Sequence, residues 1–170
     1  MPTPNTYRVA SGAPGHEYWQ QKADYVINIV LDDEKQTLSG TETITYFNNS
    51  HDLLDYLWIQ LDQNIRKQHS ASQKTHTHIF NDKESFRSIN RLHSDFDVGF
   101  KIEYVKDGTG KTLSSTTVET MMRIDLPRPL KPGSSTTIKL KWWYNINDRM
   151  KSGGRSGMEF FKEDSNYIYT

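Results

Sequence analysis

The feature that most narrows the fold is a two-residue alternation of apolar side chains that recurs along the chain. Ala23, Tyr25, Ile27, Ile29 and Leu31 occupy every second position, and so do Ile138, Leu140, Trp142 and Tyr144. Such spacing puts each row on one face of an extended strand, whereas a helix would scatter it around its circumference. The pattern predicts strands over Ala23–Leu31, Leu38–Phe47, Leu54–Leu61, Val98–Val105, Thr117–Leu126 and Thr136–Tyr144. In the second of these, Thr41, Thr43 and Thr45 form one row and Glu42, Ile44 and Tyr46 the other. Leu54–Leu61 is bulky on both faces, with Leu57 and Ile59 opposite Tyr56 and Trp58, which suits a strand covered on both sides.

The segments between these rows are short and turn-rich. Asp32 to Lys35, Asn48 to Asp52, and Asp107-Gly108-Thr109-Gly110 all read as turns. Pro127, Pro129 and Pro132 are expected to end the fifth strand, because proline lacks the donor that a central strand needs. The polar stretch Arg66–Asp82 reads as a long loop with one short strand near His78–Phe80. No long helical period interrupts the strands, so no crossover helices are expected. The predicted class is all-β, a predominantly antiparallel β-sandwich, with a closed barrel as the structural rival. Burial of each large apolar side chain contributes about 1.5–3 kcal/mol, which the alternating rows set against backbone ordering.

The chain of 170 residues suits one domain, divided here into a lead-in arm over 1–17, a sandwich over 18–150, and a Gly/Ser-rich and aromatic segment over 151–170. Tyr18 and Trp19 are candidates to pin the arm to a neighbouring surface. Met1 leads into Pro2, Thr3 and Pro4 without a basic run or an apolar stretch, so no signal peptide is expected here. No membrane-spanning segment is expected either.

Composition excludes several kinds of chemistry. With 21 basic and 21 acidic side chains, the summed field has no sign that would gather nucleic acid. Arg149, Lys151 and Arg155 read as a solvated loop. Without cysteine, thiolate catalysis, disulfides and cysteine-ligated zinc are ruled out for this chain. His76 and His78 would share one side of a strand, with His69 and His93 nearby, yet a polar loop explains them with less. A helix-borne pair of histidines four apart, with a glutamate between them, is missing from the sequence.

Other candidate groups fail on spacing. Ser156 lies between Arg155 and Gly157 without the spacing of an esterase elbow, and Gly153-Gly154 is too short for a nucleotide loop. Glu159 with Glu163 or Asp164 reads as solubilising charge rather than a glycosidase pair. No catalytic, cofactor-binding or metal-binding residue is assigned. Exposed aromatics such as Trp19, Trp58 or Trp143 leave a carbohydrate-binding or adhesion module as an alternative function.

Three runs taken in order carry a more specific signal. They are Gly15-His16-Glu17-Tyr18-Trp19-Gln20-Gln21 with Ala23-Asp24-Tyr25, then Leu38-Ser39-Gly40-Thr41-Glu42-Thr43-Ile44-Thr45-Tyr46, then Leu57-Trp58-Ile59-Gln60-Leu61-Asp62-Gln63-Asn64. In this order the chain resembles the start of bacterial zinc aminopeptidases of the M1 (gluzincin) family. Gly153 to Gly157 and Asn166 to Thr170 resemble the stretch that leads into that family's catalytic domain.

The resemblance implies a saddle-shaped amino-terminal sandwich that helps wall the peptide-substrate cleft. It also implies a partner in the catalytic domain of the same polypeptide, which would hold the zinc, and an exported or periplasmic parent is compatible with it. Gly157-Met158-Glu159 looks like the family's amine-recognition motif but precedes the catalytic region, and Gln60 and Gln63 lie too early to match the family's substrate-recognising glutamine. The aromatic segment of Phe160, Phe161, Tyr167, Ile168 and Tyr169 is expected to seat against, or lead into, that catalytic domain.

Overall fold

A computed structural model describes residues 3–75, 97–149 and 156–169. The alternating rows form the strands β1 (Lys22–Asp32), β2 (Thr37–Phe47), β3 (Leu54–Gln60), β4 (Lys101–Asp107), β5 (Ser115–Val118), β6 (Met121–Leu130) and β7 (Ser135–Asn145). One sheet has the order β1-β2-β7-β4 and a second has the order β3-β6-β5, with every pairing antiparallel. A separate hairpin joins β8 (Met158–Phe161) to β9 (Asn166–Tyr169). The first strand does not close on the last, so the architecture is a sandwich and not a barrel.

Register explains the core. Ile44 lies opposite Ile138 in the larger sheet, and Leu140 lies opposite Val105. In the smaller sheet Leu57 lies opposite Ile124 and Ile59 opposite Met122. These rows face each other, and Ile44, Leu57, Val105, Met122, Ile124, Ile138 and Leu140 are all buried. Among the described residues the helical pieces are short: a 3-10 turn at Asp62–Arg66 and one helical turn, α1, at Ala71–Thr75. None is long and apolar enough to cross a membrane.

Several sequence expectations need correction. Thr117–Leu126 is two strands, because the chain reverses at Glu119, whose φ of +51° is left-handed, and Val118 pairs with Met121. Pro127 and Pro129 do not end β6. β5 stops opposite Ile124, and the β3 register slips between Tyr56 and Leu54, so neither proline has to donate to a ladder. β4 starts at Lys101 and not at Val98, because side chains take the preceding amides: Asp97 accepts from the Gly99 N–H at 3.1 Å, and Asn64 from the Phe100 N–H at 2.8 Å.

β3 is an edge strand with Tyr56 and Trp58 exposed, rather than a strand covered on both sides. Nor do Tyr18 and Trp19 pin the arm, since both are exposed. Gln20 and Gln21 do so, through hydrogen bonds with Asn48 and Asn49. The expected strand at His78–Phe80 lies outside the described residues.

Asn48 is fully buried where β2 leaves the larger sheet. Its amide group donates to the Asp52 carbonyl at 2.8 Å and the Leu130 carbonyl at 3.0 Å. Its side-chain oxygen accepts from the Ser50 hydroxyl and from Gln21, and its backbone bonds to Gly133 and Ser134. Leaving such groups buried and unsatisfied costs about 1–3 kcal/mol each. Asn48→Leu, of similar volume and more apolar, should therefore destabilise the chain by about 2 kcal/mol or more in urea unfolding. A neutral or stabilised variant would show that the position is held by packing alone.

Candidate functional site

The candidate site grows out of a mismatch between the sheets. Register places Tyr25 beside Ile44, Ile27 beside Glu42, Ile29 beside Gly40 and Leu31 beside Leu38, so the apolar row of β1 extends the core-facing side of β2 and β7. The smaller sheet covers Ile44, Ile138 and Leu140 but leaves β1 bare: Tyr25 is 57% and Ile29 56% exposed. A cleft of about 280 Å³ opens there, lined by Tyr25, Glu42, Trp58, Ile59, Ile102 and Trp142 among others.

Trp142 is locked in place. It lies over Gly40, where an added Cβ would come within 2.6 Å of the indole. Tyr144 stacks beside it at 5.9 Å, and Phe100 meets it edge-on at 5.3 Å. Glu42 projects from the same face and is the charged group of this lining. Burial raises its carboxyl above the ordinary value, while a hydrogen bond from the Trp142 side chain acts in the opposite direction. The ion pairs among the described residues leave Glu42 out.

A second cavity, of about 200 Å³, lies at the other end of the strip between Leu31, Leu38, Tyr144 and the β8–β9 hairpin. Tyr169 closes it, with its hydroxyl 2.6 Å from an Asp33 carboxylate oxygen and 2.9 Å from the Gln36 side-chain oxygen. Gly157 is required beside it, because its φ is +138° and a Cβ there would lie 2.3 Å from the Asn147 carbonyl.

The groups weighed from sequence do not converge on one place. His69 is an exposed loop residue, while His76, His78, His93, Lys151, Gly153, Gly154 and Arg155 lie outside the described residues. Among the described residues, no three His, Cys, Asp or Glu side chains gather to hold a metal. The Ser156 hydroxyl accepts from the Arg66 guanidinium at 2.8 Å. Glu159 faces Arg149 at 3.8 Å, whereas Glu163 and Asp164 lie in the exposed β8–β9 turn.

Gln60 is engaged with Asp62, and Gln63 lines the second cavity. Trp19, Trp58 and Trp143 stand just ahead of β1, on β3 and on the far side of β7 from Trp142, and form no common platform. Sequence reasoning did not single out Glu42 as a site residue. The signal was its place in the row Glu42, Ile44, Tyr46, a carboxylate on a face otherwise apolar.

No protein-family model matches the chain, and no curated protein matches it. Solved structures do. The M1 zinc metallopeptidase from Deinococcus radiodurans is similar over 74% of this chain and 21% of that one, at 16% identity and a TM-score of 0.44. A two-domain M1 zinc metallopeptidase bound to L-tryptophan is similar over 87% of this chain and 25% of that one, at 15% identity and a TM-score of 0.47. The chain thus spans a fifth to a quarter of the length of these proteins.

The shift at Glu42 fixes the sign of a pH effect. With its folded-state pKa above the ordinary 4.5, the native protein holds a proton that the unfolded chain has already released. Through that window the contribution of Glu42 to stability falls as pH rises. Asp97 acts the other way: burial would raise its pKa, but hydrogen bonds from Lys101 and the Gly99 N–H override this and hold it low, so its contribution is lost as pH falls. Glu42→Gln should therefore gain stability relative to the parent as pH rises above the ordinary carboxyl value of 4.5, as read by urea unfolding at each pH. A difference independent of pH would place Glu42 in an environment as polar as water.

Proposed function

We propose that this chain is the non-catalytic amino-terminal β-sandwich of a zinc aminopeptidase of the M1 type, and that it forms one wall of the peptide-substrate cleft. On this reading residues 1–17 are the arm, 18–150 the sandwich, and 151–170 the passage towards a catalytic domain that carries the zinc. The ordered runs from Gly15, Leu38 and Leu57 support the assignment.

The observation that carries it is the state of the last hairpin. Tyr169 and Phe161 are partly covered, but in the hairpin that follows the sandwich Phe160 is 47% and Tyr167 41% exposed with their rings 4.8 Å apart, and Ile168 is 51% exposed on the other face. An apolar cluster of this kind is stabilised when another surface covers it. A catalytic domain following in the same polypeptide would supply that surface.

Two measurements test the assignment. The purified chain with added zinc should give no chelator-sensitive hydrolysis of aminoacyl reporter substrates, and robust zinc-dependent turnover by the homogeneous chain would overturn the non-catalytic role. The parent reading frame should continue past Thr170 into a His-Glu-x-x-His segment with a later glutamate. An immediate natural stop codon would sink the missing-domain claim.

A further inference from the structure

We infer that the cleft beside Glu42 binds a small organic ammonium ion, with the cation on the Glu42 carboxylate, which the Trp142 side chain orients, and the apolar part of the ligand against Tyr25, Trp58 and Ile59. The inference stands apart from the aminopeptidase assignment, because every residue it uses belongs to this chain.

Charge selects the ligand. A carboxylate set among Trp142, Tyr25, Ile44, Ile59 and Ile102 loses hydration without gaining a cation from the ion pairs among the described residues. Such a site favours a positive ligand, whose charge offsets the lost hydration. A metal ion is a poor match, because it needs several oxygen, nitrogen or sulfur donors and the lining offers one carboxylate among apolar and aromatic groups. An organic ammonium ion is a good match: ring faces attract it electrostatically, and its carbon skeleton gains from the apolar walls.

Shape narrows the class further. At about 280 Å³ the cleft lies just below the range for ligand sites, roughly 300–1,000 Å³, which suits a single small amine. Tyr25 and Trp58, each about half exposed, stand on the edge strands of the two sheets and border the opening. The inner wall is preorganised, since Gly40, Phe100 and Tyr144 hold the Trp142 ring before any ligand arrives.

The test is a titration of the purified full chain with phenethylammonium, followed by tryptophan fluorescence and calorimetry, with phenethyl alcohol as the uncharged comparator. Saturation is expected with a dissociation constant on the order of 1 mM or tighter. The alcohol and Glu42→Gln should each weaken binding by about tenfold or more. Thermal melts check that Glu42→Gln is folded. If it is not, Tyr25→Ala at the exposed rim serves instead, with an expected loss of about threefold or more. Failure to saturate, equal binding of amine and alcohol, or unchanged affinity in the folded variant would overturn the site. So would binding restricted to a blocked lysine peptide, which would place the cation on a polypeptide instead of a small amine.

Discussion

The sandwich depends on the hydrogen bonds gathered by Asn48. Four connections pass between the two sheets, and two of them, β2 to β3 and β6 to β7, meet at this side chain. Hydrophobic packing presses the sheets together but is indifferent to small rotations of one against the other. Directional bonds from one buried amide to Asp52 and Leu130, with backbone bonds to Gly133 and Ser134, remove that freedom. Gln21 reaches the same hub, so the arm is fixed relative to both sheets.

The device is repeated. Asn64, also buried, accepts from the Phe100 N–H and donates to the Glu119 carbonyl at 2.9 Å, tying the entry to β4 to the β5–β6 turn. Asn147 donates from its side-chain amide to the Ser156 carbonyl at 3.3 Å, while its backbone carbonyl accepts from the Met158 N–H at 2.7 Å, and so it anchors the last hairpin to the end of β7. Each asparagine offers a donor and an acceptor on a short, stiff side chain, which lets one residue satisfy two backbone segments that run in different directions.

Legibility in the sequence followed the length and purity of the alternation. β1, β2 and β7 lie within one residue of the spans expected from their rows, because eleven paired positions leave little choice of register. The β5–β6 reversal was hidden, since Glu119 and Thr120 carry no glycine, asparagine or proline to announce it. The reversal rests on a left-handed glutamate instead. Val98 and Phe100 kept the period of a strand, but Asp97 took the Gly99 amide and Asn64 the Phe100 amide, and capture by a residue as distant in sequence as Asn64 leaves no local mark. Asn48 read as a turn former, a reading that carried its position but not its burial. The cleft was legible only in part: Glu42 was visible on an apolar row, while the uncovered edge that exposes this row follows from the unequal widths of the sheets.

That inequality is what turns a core position into a site. In a sandwich with matched sheets, the β2 face at position 42 would be covered from both sides and a carboxylate there would carry its full desolvation cost. Here a four-stranded sheet faces a three-stranded one, and Glu42 falls at the margin, half-buried and still able to ionise. An aliphatic residue would pack better against Leu140 and Ile27, its cross-strand neighbours. Where a sequence otherwise keeps its apolar rows intact, the one position that departs from local consistency is where function is to be sought. Glu42 trades packing for charge beside a ring that Gly40, Phe100 and Tyr144 already hold still, and the same neighbours that give up stability to that charge give the cleft its selectivity.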